Sequence, residues 1–298
     1  MTPPGLAAPH DPAPQGSESS DDPTAPAGAP TTPHGSLPQP HGLHVGPRPP
    51  VRTPGPVPPA DVLTLDDPGP VLASGSSADV YALDEDYVVR RYRCGRDATH
   101  EARFLQHVSA RGFPVPAVYV AQGPNLLMER LHGPTLLQAL AAGEVSIADG
   151  ARLVVELHER LHAIPAPQDV PHDETQWPHV PAGPVVAHLD LHPGNIVLTE
   201  THGPCVVDWA NARAATAELD VALTALMVAE VAVDAGGDYS LAARAFLAAF
   251  LAASRVSPVP ALGQAAAARR SDPGLLTGEK ELVGGAVELV QEMVRVAS

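Results

Sequence analysis

The chain has 298 residues, 44% of them hydrophobic, with 18 basic and 34 acidic side chains and a net charge of −16. That length allows one large domain or two modest ones, the apolar content is enough for a core, and so acidic a surface repels a nucleic-acid backbone. The longest apolar run, 221–233, is broken by Glu230; with only Cys94 and Cys205 as cysteines and no charged-then-apolar leader, the expectation is a soluble cytoplasmic protein that spans no membrane.

Residues 1–60 carry 18 of the 35 prolines and show neither a two-residue nor a helical period, so they read as a disordered Pro-rich leader. Its histidines (His10, His34, His41, His44) match no ligand spacing. Its charges account for −2 of the total, leaving −14 on residues 61–298. From about 61 the pattern changes. Strands are expected at 71–73, 79–83 and 87–92, with 74–77 as a turn and Asp84-Glu85-Asp86 as another. Ala102, Leu105 and Val108 give 98–109 a helical period, and strands follow at 118–120 and 125–129, ending at Gly133-Pro134. The first part is therefore an antiparallel sheet with one inserted helix. Beyond Gly133 the pattern turns helical, at 135–142 and at 146–162, where Pro165 stops it. Short strands are expected at 185–188, 195–198 and 205–207. From 218 onward the chain is alanine-rich and helical, with breaks at 236–237, 258–260 and 272–274.

The stretch that carries chemistry is His188-Leu189-Asp190-Leu191-His192-Pro193-Gly194-Asn195, with Asp208-Trp209 thirteen residues further on. Pro193-Gly194 forces a tight turn, so Asp190 and Asn195 stand at the two mouths of one loop. A hairpin from 195–198 to 205–207 folds Asp208 back beside Asn195. Asn and Asp together are a hard-oxygen pair suited to Mg²⁺, and a nearby free carboxylate can orient and deprotonate an attacking hydroxyl.

These residues, with Met128-Glu129-Arg130-Leu131-His132-Gly133 and Leu157-His158 to Pro165 in support, resemble the aminoglycoside phosphotransferase and choline-kinase-like branch of the protein-kinase-like superfamily. The resemblance covers roughly residues 70–235. It implies an α+β, two-lobed fold: a small antiparallel-sheet N-lobe over 61–128, a hinge at 129–131 and a mostly helical C-lobe over 132–298, with ATP and Mg²⁺ in the cleft. By the same resemblance Asp190 is the catalytic-loop base and His188 the histidine that braces it. Asn195 and Asp208 are the metal ligands. Arg90 stands where a lysine would touch the phosphates, with Glu101 as its partner. Ser74, Gly75, Ser76 and Ser77 form the phosphate-covering loop, and Met128, Glu129 and Leu131 the adenine-binding hinge. Asp220 either supports the catalytic loop or caps its helix. His192 reads as a loop residue contacting solvent or substrate, and Cys205 as core. Arg90 brings a planar fork in place of a point charge, and Gly75 is the loop's only glycine, a poor match to a glycine-rich loop.

The implied reaction is transfer of the ATP γ-phosphoryl group to a hydroxyl of a small molecule. The −14 of the main region favours a cationic acceptor such as an aminoglycoside or amino alcohol, with Glu218, Asp220, Glu230, Asp234 and Asp238 in the region that would hold it. Two alternatives stand beside this one. A catalytically inactive relative would bind nucleotide without turnover. A zinc hydrolase would use His158-Glu159-x-x-His162, whose histidines share one helical face.

Overall fold

The computed structural model describes Pro58 and residues 68–297, except 76, 169, 171–179, 235–236, 273 and 276. The Pro-rich leader (Pro58 apart), residues 61–67 and Ser76 lie outside the described residues.

The β-branched and aromatic segments pair as strands β1 (Val71–Ser74), β2 (Ala78–Ala82), β3 (Tyr87–Tyr92), β4 (Val118–Gln122) and β5 (Asn125–Glu129). They form one antiparallel sheet in the order β1-β2-β3-β5-β4. The β2–β3 turn closes because Asp84 Oδ1 accepts from the amides of Asp86 and Tyr87, both at 2.8 Å. At the β4–β5 turn Gly123 takes φ 53°, which costs a residue without Cβ little. Helix α1 (Thr99–Ser109) lies between β3 and β4 and buries Glu101, Ala102, Phe104, Leu105 and Val108.

The helical region begins with α2 (Leu136–Ala141), where Thr135 and Gln138 cap each other's backbone, and α3 (Ile147–His162), capped by Ser146. Then follow β6 (Val185–Ala187), β7 (Ile196–Thr199), β8 (Gly203–Val206) and β9 (Arg213–Ala215). Helices α4 (Ala217–Val233), α5 (Asp238–Ala253), α6 (Leu262–Ser271) and α7 (Thr277–Ala297) complete the chain. The fold is thus α+β, an antiparallel sheet followed by a mostly helical part.

The 185–188 segment pairs with β9, which the sequence did not announce, while β7 pairs with β8. Arg213-Ala214-Ala215 has no β preference of its own, and its pairing is imposed by tertiary position. The 188–195 loop therefore leaves one two-stranded sheet and enters another, so both its ends are anchored.

Helix α4 explains the apolar run. Between Leu219 and Ala232 nearly every side chain is buried, because α3, α5, α6 and α7 pack around it. Each buried Leu or Val there contributes about 1.5–3 kcal/mol. Among the described residues no helix is long and apolar enough to cross a membrane.

Candidate active site

The loop is held from beneath by Asp220. The amides of His188 and Leu189 donate to its two carboxylate oxygens at 3.1 and 2.7 Å, and His162 Nε2 donates at 2.9 Å. Burial alone would raise the Asp220 pKa, but the His162 hydrogen bond and the neighbouring imidazoles outweigh it and hold the carboxyl below the usual range. The N-cap reading of Asp220 is corrected: helix α4 starts earlier, and Thr216 Oγ1 accepts from the Leu219 amide. Leu189 sits at φ 62°, a left-handed conformation rare for a branched side chain, and its bond to Asp220 keeps it there. Thr224 adds a second prop, donating to the Leu191 carbonyl at 2.8 Å.

His188 is wholly buried, donates from Nε2 to the Val207 carbonyl at 3.0 Å and meets the Trp209 ring edge-on at 4.8 Å. It braces the segment before Asp208.

Asp190, Asn195 and Asp208 come together as the spacing implies. Asn195 Nδ2 donates to the Asp190 carbonyl at 2.9 Å and to Asp190 Oδ2 at 3.3 Å, which leaves the Asn195 amide oxygen for another partner. The Val207 amide donates to the Asn195 carbonyl at 2.9 Å and sets Asp208 beside it. Asp208 takes φ 60°. Burial, then the Asp208 charge, push the Asp190 carboxyl up to about 8.

From the sheet, Arg90 reaches both acids. Its Nε lies 3.1 Å from Glu101 Oε2 and its Nη2 donates to Asp208 Oδ1. Glu101, 1% exposed, also accepts from Tyr92 Oη at 2.5 Å and from the Trp209 amide at 3.2 Å. Burial works against the Arg90 charge, but Glu101 and Asp208 more than offset it and raise its pKa. Gly75 stands above this group: a Cβ there would lie 3.9 Å from Asp208 Oδ2. Arg93 stiffens the turn, donating to the Gly75 carbonyl and to both Asp79 oxygens at 2.9 Å. Ser74 is exposed at the end of β1, and Ser77, half-buried, offers its carbonyl to the Arg93 amide at 3.0 Å.

The hinge residues divide. Met128 is buried in the main core, whereas Glu129 and Leu131 line a cavity of about 600 Å³ between the β2–β3 and β7–β8 turns. Its lining leaves out Arg90, Asp190, Asn195 and Asp208. The Glu129 carboxylate accepts from the Ala117 amide at 3.0 Å and lies 2.8 Å from His202 Nε2, so its side chain ties the end of β5 to the β7–β8 turn.

The zinc reading is corrected. His158 Nδ1 donates to the Val154 carbonyl at 3.0 Å, His158 Nε2 lies 3.3 Å from Thr224 Oγ1, and His162 is engaged with Asp220. Glu159 reaches outward to Arg255 at 3.5 Å. Among the described residues no group of three or more His, Cys, Asp or Glu side chains is placed to hold a metal ion. The two histidines lie beneath the 188–195 loop, His162 against Asp220 and His158 beside Thr224.

Of the acids expected on the acceptor side, Glu218, Asp234 and Asp238 are exposed, while Glu230 is buried and grips Arg269 at 2.6 and 3.1 Å. Arg269, which sequence reasoning missed, also lies 3.5 Å from Asp272, and both charges act on Asp190. Its signal was faint: an arginine at the end of an alanine-rich helix.

Residues 69–179 and 172–255 match the profile of the Phosphotransferase enzyme family. Among solved structures the chain is similar to aminoglycoside phosphotransferase APH(4)-Ia, at 15% identity over 76% of this chain and 93% of that one, with a TM-score of 0.47. It is similar to ADP-bound APH(2'')-Ib at 15% identity over 75% and 93%, TM-score 0.42. The gentamicin complex of APH(2'')-IIa gives 16% over 75% and 92%, TM-score 0.44. No curated protein matches the chain significantly.

Proposed function

Because the chain belongs to the Phosphotransferase enzyme family, we propose that it moves the γ-phosphoryl group of ATP to a hydroxyl of a small molecule. The observation that carries this reading is the meeting of Asp190, Asn195 and Asp208 around one loop, with Arg90 on Asp208. Asp190 accepts the acceptor's hydroxyl proton and aims its oxygen. Arg90 and the backbone of the Gly75 turn face the phosphates. Asp220, His188 and Thr224 keep the loop from relaxing.

The donor set fits Mg²⁺: a carboxylate with one oxygen outside the Arg90 contact and an amide oxygen turned away from Asp190, both hard ligands. Asn195 and Asp208 would hold the ion, which when bound neutralises charge on the transferring phosphoryl group. The −14 on residues 61–298 supports a cationic acceptor, such as an aminoglycoside or an amino alcohol.

Calorimetric titration with ATP, with and without Mg²⁺, on wild type and Asp208→Ala tests the reading. Mg²⁺-dependent binding that the variant loses is the expected result, and absence of ATP binding by the wild type overturns it. Binding without ADP release against any hydroxyl acceptor would assign the chain to the inactive, nucleotide-binding alternative.

A further inference from the structure

His192 lies between the base and the turn that follows it, and three contacts fix its ring. The Gly194 amide donates to His192 Nδ1 at 3.1 Å. A Cβ on Gly194 would stand 2.8 Å from His192 Cε1 and 3.0 Å from Nδ1, so the ring occupies the space that a side chain at 194 would need. At the far side, His192 Nε2 stands 3.8 Å from Asp190 Oδ1.

The first contact settles the tautomer. A backbone amide can only donate, so Nδ1 carries a lone pair and the ring proton sits on Nε2. Burial, then the neighbouring His188, lower the His192 pKa to about 4, in keeping with a neutral ring. His192 thus presents Asp190 with an N–H donor. At 3.8 Å the contact is electrostatic, and a small rotation of the carboxylate brings it to hydrogen-bond length. Asp190 Oδ2 meanwhile takes the Asn195 amide at 3.3 Å.

We propose that His192 is a positioning residue for the phosphotransfer: its Nε2–H and the Asn195 amide take one carboxylate oxygen of Asp190 each and fix the plane in which that base meets the acceptor hydroxyl. The role rests on the phosphotransferase reading above. It also gives the Pro193-Gly194 turn a purpose, since only glycine leaves room for the ring that reaches back to Asp190.

Two substitutions separate this role from simple capping of the turn. Asparagine puts an amide oxygen near the Nδ1 position and keeps the Gly194 bond, but loses the donor toward Asp190. Glutamine puts an amide nitrogen near the Nε2 position and keeps that donor, but loses the cap. The assay is ADP release from Mg·ATP by the full chain with water as acceptor, alongside thermal melts and the KM for ATP. For His192→Asn the expected result is a melt close to wild type, an unchanged KM for ATP and kcat lower by about tenfold or more. For His192→Gln it is a lower melting temperature and a kcat several-fold above that of the Asn variant. Equal kcat in wild type and His192→Asn, or loss only in His192→Gln, overturns the positioning role while leaving the phosphotransferase reading intact. Failure of the wild type to bind Mg·ATP, or to release ADP from it with water and with every hydroxyl acceptor offered, overturns both. Ring ¹⁵N spectra at neutral pH give an independent decision: a proton on Nδ1 in place of Nε2 rules the role out whatever the kinetics.

Discussion

The guanidinium of Arg90 joins two acids from different parts of the chain, Glu101 on α1 and Asp208 at the end of the β7–β8 hairpin. The fork makes this possible, since separate nitrogens serve the two carboxylates where an ammonium would have to choose. It also fastens α1 to the 208–212 segment, with Arg96 donating to the Ala210 carbonyl at 2.7 Å and His100 Nε2 at 2.8 Å from the Ala212 carbonyl. Sheet and loop are held in register by these side chains, so Asp208 stays close to Asn195.

Removing Arg90 should therefore cost stability as well as nucleotide affinity. Arg90→Ala strands Glu101 as an uncompensated charge at 1% exposure, and breaking such a pair costs about 3–5 kcal/mol. In a domain of this size each kcal/mol lowers the melting temperature by about 2–4 °C, so a fall of roughly 6–20 °C is expected. Arg90→Lys should fall in between, because a lysine holds one acid and releases the other. A thermal melt of Arg90→Ala that superimposes on the wild type would show that the bridge contributes nothing to the fold.

As the proposed base, Asp190 sets the pH dependence of turnover. It must be ionised to take the acceptor's proton, and burial together with the Asp208 charge pushes its pKa up to about 8. Turnover should therefore climb with pH on an acidic limb lying well above the ordinary carboxylate range, and below pH 8 once a divalent cation offsets Asp208. Asp190→Ala should lower kcat by about 10²-fold or more with ATP affinity nearly unchanged. A flat profile from pH 5 to 8, or wild-type kcat in the variant, would remove Asp190 from the role of base.

Much of this was legible in the sequence because the informative signals were local. Short runs of β-branched, aromatic and aliphatic residues between turn signals marked the sheet, and the spacing of Asp190, Pro193-Gly194, Asn195 and Asp208 marked the loop and its return. What could not be read depended on distance in space. Strand β9 is three small or charged residues with no strand preference, and its partner β6 precedes it by 28 positions. Arg269 reaches Glu230 across 39 positions, and no motif marks either. His202 meets Glu129 from another hairpin. The His158–His162 spacing pointed to zinc because a helix face does gather its i and i+4 residues, but whether an imidazole there meets a metal or an aspartate is decided by the helix packed against it, here α4 with Asp220 and Thr224.

The buried and half-buried histidines make stability fall as the solution turns acidic. His100, His158, His188 and His192 all have pKa values below their ordinary value of 6.5, with burial the largest cause in each; His158 and His192 lie at about 4. In the unfolded chain each takes up a proton near its ordinary pKa, whereas in the folded chain it resists until lower pH. The unfolded state thus binds more protons below about 6.5, and the stability these groups provide is lost as pH falls through that window. Two carboxyls oppose this. The pKa values of Asp190 and Glu101 are raised, so between the ordinary carboxylate pKa and the raised value the folded state holds the extra proton. The histidines outnumber the carboxyls, so the net effect below about pH 6.5 is a loss of stability. Asp220, with its lowered pKa, adds a further loss only below the ordinary carboxylate range. Melting temperature should accordingly drop steadily from pH 7 to 5 in a low-salt buffer. His158→Gln, which keeps a polar side chain without the proton uptake, should make that slope shallower. A melting temperature constant between pH 7 and 5 would mean that these imidazoles already carry their protons in the folded chain.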